Sequence, residues 1–267
     1  MPEKKKDQSK KELRINIIVY LVLRFLVIVC MVEQAIKGNW HGVALCFLTL
    51  VLFTLPTIAS KTFKVKLPTT LEIIVYLFIY AAEILGEIQN FYGIFKHWDT
   101  MLHTLNGFLA AAVGFSLIDI LNRTERFHIK MTPVFVALVA FCFSMTIGVL
   151  WEFGEFAADR YLNLDMQKDR IVQKISSVEL NQENKNQPVI INNINKTEIY
   201  SNNNQTITTV ENGYLDIGIR DTMKDLFVNF IGAIVFSMLG FLYIKDRDEY
   251  QFIERFVPVM KKFKEEI

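Results

Sequence analysis

The 267-residue sequence is poor in the residues that cross-link or punctuate a soluble fold, with 3 cysteines, 6 prolines and 12 glycines. Cys30, Cys46 and Cys142 each sit in an apolar run without C-x-x-C spacing, which argues against a disulfide or zinc framework and reads them as small buried hydrophobes. Net charge is equally scarce. The 29 Lys and Arg balance 28 Asp and Glu to +1, so no general nucleic-acid-binding surface is indicated. No recognised nucleophile motif or Gly-rich phosphate loop accompanies the acidic residues described below. Repeated halves and helices broken near the midplane, features of many transporters, are not evident either. What the sequence does have is hydrophobicity, 52% by residue, gathered into runs of about twenty, the length that crosses a bilayer.

Six runs can each span a hydrocarbon core of about 30 Å at about 1.5 Å per helical residue: 15–36, 41–60, 69–90, 99–121, 133–158 and 222–244. Runs such as Ile15 to Met31 are apolar on nearly every side and lack the alternation of a barrel strand. The predicted fold is therefore all-α, a polytopic membrane protein with six transmembrane helices. Arg24 and Glu33 interrupt the first run, and Lys224 and Asp225 the start of the sixth. A cleaved signal peptide is the competing reading of the amino terminus. The length of the run, its two charges and the lack of a small-residue cleavage site argue that the first helix stays.

Lys and Arg concentrate in alternate connections: six in the tail 1–14, then Lys61, Lys64 and Lys66, then Arg123, Arg126 and Lys130, and six in the tail 245–267. The opposite connections hold Lys37, Lys96 and seven more spread over 159–221. Short positive connections stay inside, which predicts a bacterial cytoplasmic membrane protein with both termini cytoplasmic. Segment 159–221, external on this reading, carries ten Asn between Asn181 and Asn212. Lys196–Ser201 and Gln205–Val210 alternate and flank Asn202, Asn203 and Asn204, while Asn212 and Gly213 supply turn chemistry. A small β-hairpin is one expectation and a disordered loop the other. Asn195 and Asn204 match the N-x-S/T pattern, a weak signal in so Asn-rich a stretch. The carboxyl tail, with Phe252, Phe256 and Phe263, is expected as a solvated helix, with attachment along the inner leaflet as the alternative.

Charges inside spans are costly, so their depth is informative. With this orientation, acids gather at the outward ends. Glu83 and Glu87 close the third span, Asp99 and His103 open the fourth with Asn106 and Gly107, and Glu152, Glu155 and Asp159 close the fifth. Asp221, Thr222, Asp225, Asn229 and Gly232 open the sixth. Intervals of three and four residues put each set on one helix face. The inner halves carry only Glu72 and Asp119. A water-accessible polar cavity in the outer half of the membrane follows as an expectation. Its eight carboxylates would need neutralising by Lys96, Arg160, Arg220 or Lys224, by protonation, or by a divalent metal ion, for which Asp99, His103, Glu152, Glu155, Asp159, Asp221 and Asp225 are candidate ligands.

Plainer roles stand beside these. Trp40, Trp98 and Trp151 suit interfacial anchoring; Gly107 and Gly232 suit close helix packing; Asp221 suits a helix start. Glu83 and Glu87 would be solvated if the third span ended early. His41, His97 and His128 fall at loops and read as surface histidines. His103, inside an apolar run, and the pair Glu152 and Glu155 are the least explained by spanning alone.

Gly86-Glu87 with Tyr92, Trp98-Asp99-x-x-x-His103-x-x-x-Gly107, Trp151-Glu152-x-x-Glu155-Phe156-x-x-Asp159 with Met166-Gln167, and Asp221-Thr222-Met223-x-Asp225 with Gly232 together resemble the YjdF-type bacterial inner-membrane proteins. The order of Asp, His, Glu and Asp is also loosely similar to VanZ-like proteins, associated with glycopeptide-antibiotic resistance at the cell envelope. The first resemblance implies a polytopic membrane protein and assigns no reaction. The stretch between Gln167 and Asp221 is longer than that family's usual pattern. The expected function is binding, sensing or transport of a cation or envelope component, among membrane lipids and without nucleic acid. The alternative is a metal-assisted hydrolase or transferase acting on a lipid or cell-wall precursor, with His103 or Glu152 as general base.

Overall fold

The computed structural model describes residues 2–123, 131–183, 185–200 and 206–260. In chain order the elements are α1 (Pro2–Ile36), α2 (Trp40–Leu52), α3 (Leu55–Thr62), β1 (Val65–Lys66), α4 (Thr69–Tyr80), a π-helical segment (Ala81–Ile88), α5 (Phe91–Ile94), α6 (Trp98–Arg123) and α7 (Pro133–Leu162). Then come β2 (Arg170–Val172), β3 (Ile175–Ser177), β4 (Val189–Ile191), β5 (Lys196–Tyr200), β6 (Thr206–Glu211), β7 (Tyr214–Asp216), α8 (Ile219–Lys245), a 3-10 turn (Gln251–Arg255) and β8 (Val259–Met260). The chain divides into two compact units, Met1–Gly148 with Val228–Ile267, and Val149–Phe227.

Among the described residues, five helical stretches are long and apolar enough to cross a membrane: Lys11–Ile36, Trp40–Thr62, Trp98–Asn122, Pro133–Leu162 and Ile219–Lys245. The expected third span is helical but is not one α-helix. After Tyr80 the turns widen, and Gln89 N–H reaches back five residues to the Ile84 carbonyl. Two aromatics seat this segment. Tyr92 lies against Gly86, where a Cβ would come 2.4 Å from its ring, and the Trp98 indole N–H donates to the Ala81 carbonyl at 3.3 Å. The second span also breaks between Leu52 and Leu55, because Pro56 cannot donate into the preceding turn and Thr54 Oγ turns back to the Val51 carbonyl at 2.6 Å. Gly38, at φ +72°, ends the turn after α1, and Asn39 Oδ1 accepts Gly42 N–H to start α2.

The larger unit has two apolar clusters. One packs Leu23 and Val27 of α1 with Cys46, Phe53, Tyr76 and Ile84. The other packs Ala111 and Phe115 of α6 with Val136, Phe236 and Tyr243. In lipid the hydrophobic effect does not drive helices together, so close contact must. Here α6 and α8 approach backbone to backbone: a Cβ on Gly107 would lie 2.1 Å from the Asn229 carbonyl oxygen, and one on Gly232 would lie 2.0 Å from that of Thr104. The Ser144 hydroxyl of α7 donates to the Gly107 carbonyl at 2.7 Å and closes the three-helix contact.

Charges that interrupt apolar runs in this unit find partners within it. Arg24 donates to Tyr20 Oη at 2.6 Å, and Glu33 pairs with Lys37 one turn on. Glu72 accepts from the Asn16 amide. Buried Asp119 pairs with Arg247 at 2.7 Å, and Arg247 stacks on Tyr243. Strand β1 pairs antiparallel with β8, Val65 opposite Met260.

The carboxyl tail departs from the expected solvated helix. Ile253 and Val257 join the second cluster, and Phe256 meets Phe108 and Phe236 edge-on at 5.3 and 6.5 Å. Apolar residues at 253, 256 and 257 find an existing aromatic core, which removes more surface from water than an isolated amphipathic turn. Phe252 stays exposed, and Phe263 lies outside the described residues. Cys30 and Cys46 are buried as expected, whereas Cys142 is exposed on α7.

In the smaller unit the Asn-rich segment forms nested antiparallel pairs. Strands β2 and β7 pair at its base, β3 pairs with β4, and β5 with β6, Lys196 opposite Glu211. The last is the expected hairpin over Lys196–Tyr200 and Thr206–Glu211; Ser201, Asn202, Asn203, Asn204 and Gln205 lie outside the described residues. Asn212 turns the chain at φ +64°, but between β6 and β7 rather than within the hairpin.

Candidate functional site

The smaller unit holds five of the seven candidate ligands, and its two helix ends are arranged polar-in and apolar-out. On α7, Glu152 and Glu155 are 4% and 8% exposed, while Phe153 and Phe156 beside them are 64% and 57% exposed. On α8, Asp221 and Asp225 are 3% and 1% exposed, against 59% for Met223 and 62% for Phe227. A water-facing surface has the opposite preference. This inversion fits helix ends whose outer faces meet lipid and whose carboxylates turn inward.

The acids divide by what they hold. Asp159 receives two backbone donors, Met166 N–H on Oδ1 at 2.6 Å and Gln167 N–H on Oδ2 at 2.8 Å. The Gln167 amide in turn donates to the Thr222 hydroxyl of α8. Asp221 accepts Lys168 N–H at 2.9 Å and the Arg170 guanidinium at 2.9 Å. Residues 159–170 are thereby clasped to the start of α8. Asp221 lies in the first turn of α8 as expected, and Asp216 Oδ2 accepts the Arg220 N–H of that turn at 3.0 Å. Lys224 lies 3.2 Å from Asp225 and 3.8 Å from Asp221. The Trp151 indole N–H donates to Glu155 Oε1 at 2.7 Å, a polar role beyond interfacial anchoring. Exposed Asp169 has its carboxyl pushed up, first by desolvation, then by Asp165, Asp159 and Asp216, against Lys168.

In the larger unit, Asp99 and His103 form a pair one turn apart on α6, Oδ1 to Nε2 at 3.3 Å, both partly buried. A carboxylate beside an imidazole fixes ring orientation, the arrangement used by oriented bases and metal-bound histidines. Asn229 belongs to the packing contact: its Oδ1 accepts from the Asn106 amide at 3.2 Å, and its side chain fills the space a Cβ on Gly148 would take. Glu83 is half-buried and Glu87 exposed on the π-helical segment. His41 and His97 are exposed as expected; His128 lies outside the described residues.

Sequence reasoning missed Arg170, Asp216 and the partners of Asp159. Met166, Gln167 and Thr222 carried a signal, since they stand among the motif residues quoted above, and their role is now visible as the clasp.

These features define a multi-span helical membrane protein with buried carboxylates in its smaller unit. The chain belongs to the family described as predicted membrane protein (DUF2238), which matches residues 15–246; the YjdF-type resemblance fits this family broadly. An uncharacterized protein of Thermotoga maritima is 26% identical over 107 residues, covering 40% of this chain and 53% of that protein. The chain thus spans about half the length of the curated relative it matches. No solved structure matches.

Proposed function

We propose that this protein crosses a bacterial cytoplasmic membrane six times, with both termini cytoplasmic, and binds a cation or cationic envelope component at carboxylates opening to the outside. Parity supports the sixth crossing. Asn16 meets Glu72, β1 meets β8, and Asp119 meets Arg247, so the starts of the Lys11–Ile36 span and of α4 and the ends of α6 and α8 share one end. Between Glu72 and Asp119 the chain runs through the rest of Thr69–Ile88, the four-residue α5 and then α6; if α6 crosses once, Thr69–Ile88 crosses as well. The eighteen Lys and Arg of the tails and even-numbered connections favour the inside for that end.

The observation that carries the binding reading is the inverted exposure in the smaller unit. Its twelve acidic residues outnumber eight basic ones, and four carboxylates are buried beneath exposed Phe and Met. Ionised carboxylates taken from water need cationic partners. The proposed ligands are Glu152, Glu155 and Asp225, the buried acids of α7 and α8 outside the clasp, oxygen donors that a cation could share with Trp151 and Lys224 and that suit Mg, Mn or Ca. Equilibrium binding of Mn to purified wild type, Glu152→Gln and Asp225→Asn tests this. At least tenfold weaker binding in both variants is expected; equal occupancy in all three overturns it.

The Asp99–His103 pair favours a second reading, a hydrolase or transferase acting on a lipid or wall precursor with His103 as general base. Precursor profiling in a deletion strain complemented with wild type or His103→Ala separates the two. A precursor that only wild type clears supports catalysis, and identical profiles exclude it.

A further inference from the structure

The inner halves of α7 and α8 border an open groove of about 390 Å³, lined by Val134, Ala137 and Phe141 on one side and Ile234, Met238 and Phe241 on the other. This volume lies in the roughly 300–1,000 Å³ range of ligand pockets. The lining offers no polar surface; even Ser237 keeps its hydroxyl buried. From Ile234 to Leu242 the groove follows α8 for about 12 Å at 1.5 Å per residue, close to one leaflet's share of a core about 30 Å thick. An unbranched hydrocarbon chain of one leaflet has that length and chemistry.

The mouth is charged. Lys245 stands four residues past Phe241 and three past Leu242, and Asp246 four past Leu242, intervals that stack side chains along one helix face. Asp246 N–H still donates to the Leu242 carbonyl at 2.9 Å, so the helical geometry persists through this step. Both side chains are exposed. The next cation, Arg247, is paired with Asp119, and Asp246 Oδ1 also accepts Asp248 and Glu249 N–H. Helical spacing thus carries the groove's α8 face on to an ammonium and a carboxylate just past its last lining residue, Leu242, with further acids at 248 and 249. Among the described residues, a purely anionic headgroup would gain Lys245 and face three acids. A quaternary ammonium would offer Asp246 no N–H.

We propose that this groove is a binding site for an ethanolamine phospholipid, with one acyl chain between α7 and α8, the phosphate at Lys245 and the primary ammonium at Asp246. The inference rests on the membrane assignment and is independent of the proposed carboxylate site. Native mass spectrometry of the detergent-purified full chain, titrated with phosphatidylethanolamine, phosphatidylcholine or phosphatidylglycerol of matched chains, tests it. One phosphatidylethanolamine should be retained about fivefold more tightly than either competitor, the scale of one solvent-exposed charge contact. Asp246→Asn keeps the acceptor for Asp248 and Glu249 N–H and should erase the preference over phosphatidylcholine. Ala137→Phe should fill the groove and abolish retention. Equal retention of all three lipids, or an unchanged preference in Asp246→Asn, overturns the assignment. So does a lipid-free dimer that Ala137→Phe converts to monomer, since a second copy would then occupy the groove.

Discussion

Removing the Asp159 carboxylate should release the turn at Met166 and Gln167 specifically. Each oxygen accepts one backbone N–H, at 2.6 and 2.8 Å, and bonds to a charged acceptor are worth about 1.5–3 kcal/mol when both groups are desolvated. The turn is only partly buried, and water can replace part of what is lost. We therefore expect Asp159→Ala to cost about 2–3 kcal/mol of local stability. At about 1.4 kcal/mol per tenfold, the Met166 and Gln167 amides should exchange about 30- to 150-fold faster. Asp159→Asn, which retains one acceptor oxygen, should produce roughly half the effect in free energy. Hydrogen–deuterium exchange on the detergent-purified protein reads both amides, with the α6 backbone as internal reference. Unchanged exchange at 166 and 167 would refute the clasp. Acceleration only after chelation would assign Asp159 to a metal instead.

Gly107→Ala and Gly232→Ala should each destabilise by about 1–3 kcal/mol through backbone displacement, read as a lower thermal midpoint. Gly154→Ala, with nothing within 4 Å of the added Cβ, should be neutral or raise it, since Ala favours the helix by about 0.5–1 kcal/mol. Phe256→Ala should cost about 2 kcal/mol, below the 3–5 of a fully buried Phe, and Phe252→Ala close to nothing; equal effects would contradict the folded-back tail. The raised Asp169 carboxyl binds its proton more tightly in the folded state, so its contribution to stability falls as pH rises from about 4, the unfolded value, through the raised one. Asp169→Asn should stabilise the smaller unit at neutral pH by about 0.5 kcal/mol or less and flatten its stability over that window; a steeper acid dependence would show the opposite sign of coupling.

The sequence by itself determined the membrane class, because a run such as Ile15 to Met31 cannot be hidden in a small soluble core and a lipid-exposed backbone must bond within its own helix. It also marked His103, Glu152 and Glu155, which spanning alone does not explain, and, as one of two readings, a hairpin of Lys196–Ser201 with Gln205–Val210, whose alternation is local. Gly107 and Gly232 were legible as packing positions, though their mutual interlock was not. Tertiary structure decided what depends on partners distant in sequence. The tail folds back because Phe256 meets Phe108 and Phe236, more than a hundred and about twenty residues away respectively. The π-helical turn at 81–88 is held by Tyr92 and Trp98. Asp159 and Asp221 became fasteners for residues 166–170 because a carboxylate's role is set by which donors converge on it. Periodicity records which way a side chain faces along its own helix; it carries no record of what stands opposite.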